Sequence, residues 1–475
     1  MSLQSISPID GRYAGKTAAL QQYFSEQALM KYRVYTEIRY LCALLDVPCI
    51  KAKVGNIDKS GLMAITQITD DDAQIIKDIE TKGWNGIPAT NHDVKAVEYF
   101  IKSKFGENYK AITEYVHFGL TSEDINNISY GLMIRDAVNN VLLPELCQVY
   151  GRIYEMAMSS KDVPMLARTH GQPATPTTFG KEMLVFVGRM KQELKGLVNS
   201  EIQLKLNGAT GNFNAHHFVF HDFDWTAFSH DFIGSLNDNI QPVSNEFTQN
   251  SAVKVVYNPI TTQIEPHDSY LRVFDIFKRL NNILTDFSMD MWRYISDGWI
   301  KQKAVAGEIG SSAMQHKVNP IDFENAEGNF GVANALLNFF TGKLSISRLQ
   351  RDLTDSTVER NFGTAFAHTL IAYKSLLKGL GKTEINAELI HQTLNNTPEV
   401  LAEAFQSQLR MSGVDKPYEL LKSVTRGKKV TLESFTELAK SLNVSDEIKS
   451  KLISLTPDHY TGFASRITEE FDPKF

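Results

Sequence analysis

Apolar side chains along this chain recur at alternating steps of four and three. Met183, Val187, Met190, Leu194 and Leu197 form one such stripe, and Val273, Phe277, Leu280, Leu284, Phe287, Met291 and Ile295 form a longer one. A third runs through Leu142, Leu146, Val149, Ile153 and Met156 and stops before Asp162-Val163-Pro164. Such steps bring side chains to one face of a helix with 3.6 residues per turn, so each stripe predicts a long amphipathic helix. Period-two alternation, the mark of half-buried strands, is scarce, and no strand pattern leads into a glycine-rich nucleotide loop. Isolated helices hold poorly in water, and their apolar faces are best covered by one another. The chain is therefore expected to be all-α, with a bundle of long helices at its centre.

Breaks in the pattern suggest three helical domains. Gly106-Glu107-Asn108 interrupts a helical stretch, and a run rich in charged and hydroxyl residues ends near residue 365. These breaks divide the chain into an N-terminal helical domain over 1–110, a central helix-bundle domain over 111–365 and a C-terminal helical domain over 366–475. Lys82 to Pro88 reads as a loop inside the first domain. The basic cluster Arg426-Gly427-Lys428-Lys429 reads as a solvated face.

Composition narrows the function. With 475 residues, 43% of them hydrophobic, the chain can bury a large core. Its 49 basic and 55 acidic residues leave a formal charge of −6, so nucleic acid is not an expected partner. A small anionic substrate is compatible only if cations gather locally. Cys42, Cys49 and Cys147 lack zinc-site spacing and read as reduced thiols of a cytoplasmic protein. The start Met1-Ser2-Leu3-Gln4-Ser5 has no basic, apolar signal, and no apolar run is long enough for a bilayer. Neither export nor a membrane partner is expected.

Polar residues collect at four breaks between helices, where chemistry usually sits. Thr169-His170-Gly171-Gln172-Pro173-Ala174-Thr175-Pro176 holds one imidazole on a backbone constrained by glycine and proline. That imidazole can serve as a general acid or base, or be structural. Gly307 to Pro320 contains two glycines, Ser311, Ser312, Lys317 and Asn319, a composition for a polar loop. Lys317 and Asn319 could hold a carboxylate by charge and by directed hydrogen bonds, and a plain surface loop fits as well. In Thr121-Ser122-Glu123-Asp124-Ile125-Asn126-Asn127 a threonine followed at the third position by an acid predicts a helix cap, whose free amides also suit an anion. Ser356 and Arg360 lie four apart within Arg351 to Arg360, on one helical face, and with Arg351 could grip a phosphate or form a solvated ion-pair network. None of these clusters has metal-ligand spacing.

The second break also resembles a known signature, Gly-Ser-x-x-Met-x-x-Lys-x-Asn of the fumarase/aspartase superfamily, through Gly310, Ser311, Met314, Lys317 and Asn319. Within that superfamily the chain is similar to the bacterial-type adenylosuccinate lyases. Ser7-Pro8-Ile9-Asp10-Gly11-Arg12-Tyr13 and Thr90-Asn91-His92-Asp93-Val94-Lys95 resemble their N-terminal motifs. The stretches Thr121 to Asn127, Thr169 to Pro176, Thr262 to Asp268 and Arg351 to Arg360 follow in family order. Gln315 stands where the family usually has proline, and the segment before His92, with Trp84 and Pro88, is longer than the family pattern.

The resemblance implies three all-helical domains, a homotetramer built on one large bundle, active sites shared between chains, and no cofactor. It implies a β-elimination that releases fumarate from adenylosuccinate and from a succinyl-carboxamide ribotide of purine synthesis. By matching, His170 is the general acid and Ser311 the general base. Lys317 and Asn319 would stabilise charge on the substrate's carboxylate, and His92 would bind and orient. Arg12, Tyr13, Arg351, Ser356 and Arg360 would bind phosphate, and Thr121, Ser122 and Gln263 the succinyl part. Asn91, Asp93, Ser312 and Asn325 would support these contacts. A sister lyase acting on argininosuccinate, aspartate or fumarate, or a structural protein on the same bundle, are the competing readings. The phosphate-grip residues argue against the first, and retention of His170, Ser311 and Lys317 against the second.

Overall fold

The computed structural model describes residues 3–303, 318–425 and 430–475. Gly310, Ser311, Ser312, Met314, Gln315 and Lys317, and the basic cluster at 426–429, lie outside the described residues.

Each apolar stripe forms the buried face of a helix. Phe179–Val198 buries Met183, Val187, Met190, Leu194 and Leu197 completely. Asp268–Ser296 does the same with Val273, Phe277, Leu280, Leu284, Phe287 and Met291, while Ile295 at its end is half-buried. In Leu143–Ser159 the stripe is buried except for the half-buried Met156. These three helices join Ile321–Leu344 and Phe362–Leu380 in a closed ring: 143–159 packs on 179–198, that on 268–296, that on 321–344, that on 362–380, and the last returns to 143–159. Aromatic edges lock the centre, where the Phe274 ring lies 4.9 Å from Phe362 and Phe277 5.3 Å from Phe366.

The helix Ser122–Ala137 runs straight on into Leu143–Ser159 through one π-helical turn, Val138–Leu142. Pro144 accounts for that turn. Its nitrogen has no hydrogen to give, and its ring crowds the carbonyl four residues back, so the turn opens. The Leu143 N–H instead reaches Val138, five residues back.

The strands are short, as the pattern anticipates. Among the described residues they form four two-stranded sheets. A second small core, built on Leu401, Phe405, Leu409, Phe435 and Leu452, lies towards the C-terminus. The final residues return to the main bundle, where the Phe475 N–H donates to the Phe247 carbonyl at 3.0 Å. All three cysteines are free thiols. Among the described residues no helix is long and apolar enough to cross a membrane.

Candidate active site

The segment before His92 closes on itself. Trp84 and Ile87 exchange backbone hydrogen bonds of 2.9 Å around Asn85 and Gly86, both at positive φ, the two-residue turn that Asn-Gly favours. A side chain at Gly83 would put its Cβ 2.7 Å from the Ile87 carbonyl, so that position needs glycine. The Thr90 and Asn91 N–H groups then bond to Ile79 and Glu80, and Asn91 takes a left-handed φ of 49° that aims the chain into the helix Asp93–Ser103.

His92 caps that helix. Its Nδ1 accepts the Lys95 N–H at 3.2 Å, so a neutral ring carries its proton on Nε2. Nε2 lies 3.4 Å from the Ser122 hydroxyl. The cap thereby makes the imidazole a donor towards the succinyl-binding candidates. Beside it, Asp93 pairs with Arg33 at 2.8 Å and with Arg360 at 2.9 Å. Burial alone would raise the Asp93 pKa, but the two guanidinium groups and the Val94 N–H hold it down at about 2.

Ser122 is fixed through Asp124. The expected capping box is present, with the Thr121 N–H donating to the Asp124 carboxylate at 2.9 Å. Asp124 does more than cap. It is fully buried, pairs with the equally buried Lys205 at 2.7 Å, and accepts the N–H groups of Asn207 and Gly208. Arg351 pairs with Glu123 at 3.1 Å and with Asp355 at 3.1 Å. The Thr262 hydroxyl donates to the Gln350 carbonyl at 2.8 Å, which ties the segment of half-buried Gln263 to that of Arg351. Ser356 lies in the short helix Thr354–Glu359, and Arg360 ends it. Their shared helical face is thus one turn long.

The other candidates are held by different elements. Tyr13 receives a hydrogen bond from the Asn325 amide at 3.1 Å, and Arg12 lies over the Tyr13 ring. His170 occupies the tip of a hairpin in which Arg168–Thr169 pairs with Gln172–Pro173. His170 and Gly171 both have positive φ, and the imidazole is exposed. Asn319 stands two residues before the helix Ile321–Leu344. Among the described residues no side-chain hydrogen bond or ion pair joins the His92 group, the Tyr13 group and His170.

Besides the Asp124–Lys205 pair, two further features escaped the sequence reading. Lys16 donates to Ser375, whose hydroxyl donates to the side-chain amide oxygen of Asn325 at 2.7 Å, and burial lowers the Lys16 pKa. The other is a buried trio of Glu123, His267 and Glu359. Burial and the nearby Glu359 raise the Glu123 pKa, while Arg351 and His267 oppose the rise. Burial would lower His267, but Glu359, Glu123 and Glu265 hold it up at about 9. His267 binds its proton more tightly folded than unfolded, so it contributes stability that is fully present below pH 6.5 and lost as pH rises through about 9. The melting temperature is expected to fall between pH 6.5 and 9.5. A flat profile in scanning calorimetry over that range contradicts it.

With this geometry in view, the likeness to known proteins is specific. A lyase family matches residues 11–333, and the adenylosuccinate lyase C-terminal family matches residues 347–461. The adenylosuccinate lyase of Escherichia coli is 45% identical over 99% of both chains. That of Dictyostelium discoideum is 46% identical over 97% of both. The chain belongs to the adenylosuccinate lyase family. As a member it is a carbon–nitrogen lyase. Two solved structures share the fold at low identity. A fumarate lyase from a Mesorhizobium species has a TM-score of 0.71 at 17% identity, covering 95% of this chain and 96% of its own. A 3-carboxy-cis,cis-muconate lactonizing enzyme from Pseudomonas putida has 0.67 at 20%, covering 95% of both. Both agree with an all-helical fold of several domains.

Proposed function

We propose that this member of the adenylosuccinate lyase family eliminates fumarate from adenylosuccinate, giving AMP, and from succinyl-aminoimidazole-carboxamide ribotide, giving AICAR, in the cytoplasm and without a cofactor. In this reading Ser311 removes the proton from the succinyl carbon beside a carboxylate. Its electron pair forms the new C=C bond, the C–N bond breaks, and His170 protonates the departing nitrogen. Lys317 and Asn319 meet the charge that develops on the carboxylate. The observation that carries the reading is the gathering of a donor imidazole, a helix-start hydroxyl and two arginines at one place, in a chain of this family. Incubation of the purified chain with adenylosuccinate, followed by absorbance, tests it. Unchanged substrate sinks the proposal.

The proposal includes a homotetramer with shared sites and a domain division near residue 110. The division expected near residue 365 falls inside the bundle helix Phe362–Leu380, so the C-terminal domain is proposed to begin after that helix. The place of His170 on its own hairpin, with no hydrogen bond or ion pair to the His92 group among the described residues, supports shared sites. So does apolar surface on adjacent bundle helices: Met289 and Phe339 are each 54% exposed, and Trp292 and Val332 lie beside them on the same helices. Apolar residues grouped in this way mark surfaces that pack against another chain.

Arg351 and Arg360 are proposed to grip phosphate. Replacing either by Ala is expected to cost about 1.5–3 kcal/mol of binding, a charge-assisted contact. That is roughly a 10–150-fold rise in KM with little change in kcat, if ground and transition states share the contact. An unchanged KM in both variants places the phosphate elsewhere.

A further inference from the structure

Behind Arg351 lie three ionisable side chains for which the proposed reaction has no use. Glu123 comes from the first turn of the 122–137 helix, His267 from the residue that leads into the 268–296 helix, and Glu359 from the end of the 354–359 helix. One oxygen or nitrogen of each lies within 4.8 Å of those of the other two, and all three side chains are buried. His267 Nε2 is 3.3 Å from the Glu359 carboxylate, close enough for charge pairing, although neither ring nitrogen makes a hydrogen bond of good geometry. Glu123 Oε2 also faces Arg351 at 3.1 Å, and Asp355 holds the same guanidinium.

The charges constrain what these groups can do. Two buried carboxylates this close repel strongly unless a cation or a proton lies between them. Were His267 uncharged, Arg351 would be the cation left to answer Glu123, Glu359 and Asp355 together. A guanidinium held by three carboxylates has few N–H groups left for a ligand. We infer that His267 is a positioning residue: lodged between Glu359 and Glu123, it balances the buried carboxylates and leaves the Arg351 guanidinium for the phosphate of the substrate. The inference rests on the phosphate role proposed for Arg351. The groups facing the ring are Glu359, Glu123, Glu265 and Tyr270, with Arg351 beyond Glu123. The three carboxylates favour the imidazolium at neutral pH.

Steady-state kinetics on adenylosuccinate with His267→Gln, Glu359→Gln and the double variant test this. His267→Gln is expected to raise KM tenfold or more and to change kcat less than threefold. Removing the opposing charge as well should bring KM of the double variant back to within about threefold of the parent. A double variant as impaired as His267→Gln alone means that the histidine only packs, and overturns the inference. A fall in kcat at unchanged KM also overturns it. If His267→Gln does not fold, Glu359→Gln decides: it keeps the cation and loses one carboxylate, so its KM should not rise, and a tenfold rise rejects the inference. One divalent ion per purified chain by elemental analysis likewise rejects it, because a metal would then balance the carboxylates. A parent chain that does not turn over adenylosuccinate overturns the proposed function, and the inference with it. Turnover without rescue overturns the inference alone.

Discussion

His170→Ala is expected to lower kcat by at least roughly 10²–10⁴-fold, the usual worth of a positioned acid or base, and Ser311→Ala by a similar factor. The two changes should differ from a loss of binding. Ser311→Ala should still bind adenylosuccinate nearly normally, since a lost neutral hydrogen bond costs only about 0.5–1.5 kcal/mol. If it keeps most of its kcat and binds weakly, Ser311 is a binding residue and a histidine is the base. The separate place of His170 on its hairpin adds a second measurement. Mixed oligomers of the two dead variants should regain activity if the acid and the base come from different chains. No recovery despite proven subunit exchange counts against shared sites.

The largest stability effect is expected at Asp124. Its carboxylate faces the Lys205 ammonium and the N–H groups of Thr121, Asn207 and Gly208 with no access to water. Asp124→Ala strands a fully buried cation and three amides. Breaking a buried pair from one side costs about 3–5 kcal/mol, so the denaturant midpoint should fall markedly. Removing both charges in Asp124→Ala with Lys205→Met should cost less than Asp124→Ala alone. A double variant less stable than the single one would show that the amides, and not the stranded charge, dominate. Activity should suffer as well, because the same carboxylate fixes the turn that carries Ser122.

What could be read from the sequence was local. The stripes from Met183 and Val273 located their helices because burial repeats with the helical turn, and Thr121 with Asp124 located a helix start because the cap closes within four residues. The candidate residues were legible through resemblance rather than periodicity. Spacing alone left Arg351 and Arg360 open between a phosphate grip and ion pairs, and both do make ion pairs in the folded chain. Three arrangements were not legible: Asp124 with Lys205, Tyr13 with Asn325 and Ser375, and the Glu123, His267 and Glu359 trio. Each joins elements far apart in the chain, and no local pattern specifies which buried acid will meet which base. His267 shows this most clearly, since by itself it is one imidazole before a long helix.

The π-helical turn at Val138–Leu142 has a consequence for how this chain tolerates change. It holds one residue more than an α-turn, which sets the helix before it about 100° out of phase with the helix after it. The first half carries Ser122 at the site and Asp124 against the buried Lys205, and the second half presents Leu146, Val149 and Ile153 to the bundle. This stretch therefore has a reading frame. Asn140 is exposed, yet it cannot be deleted without turning one of those two faces away from its partner.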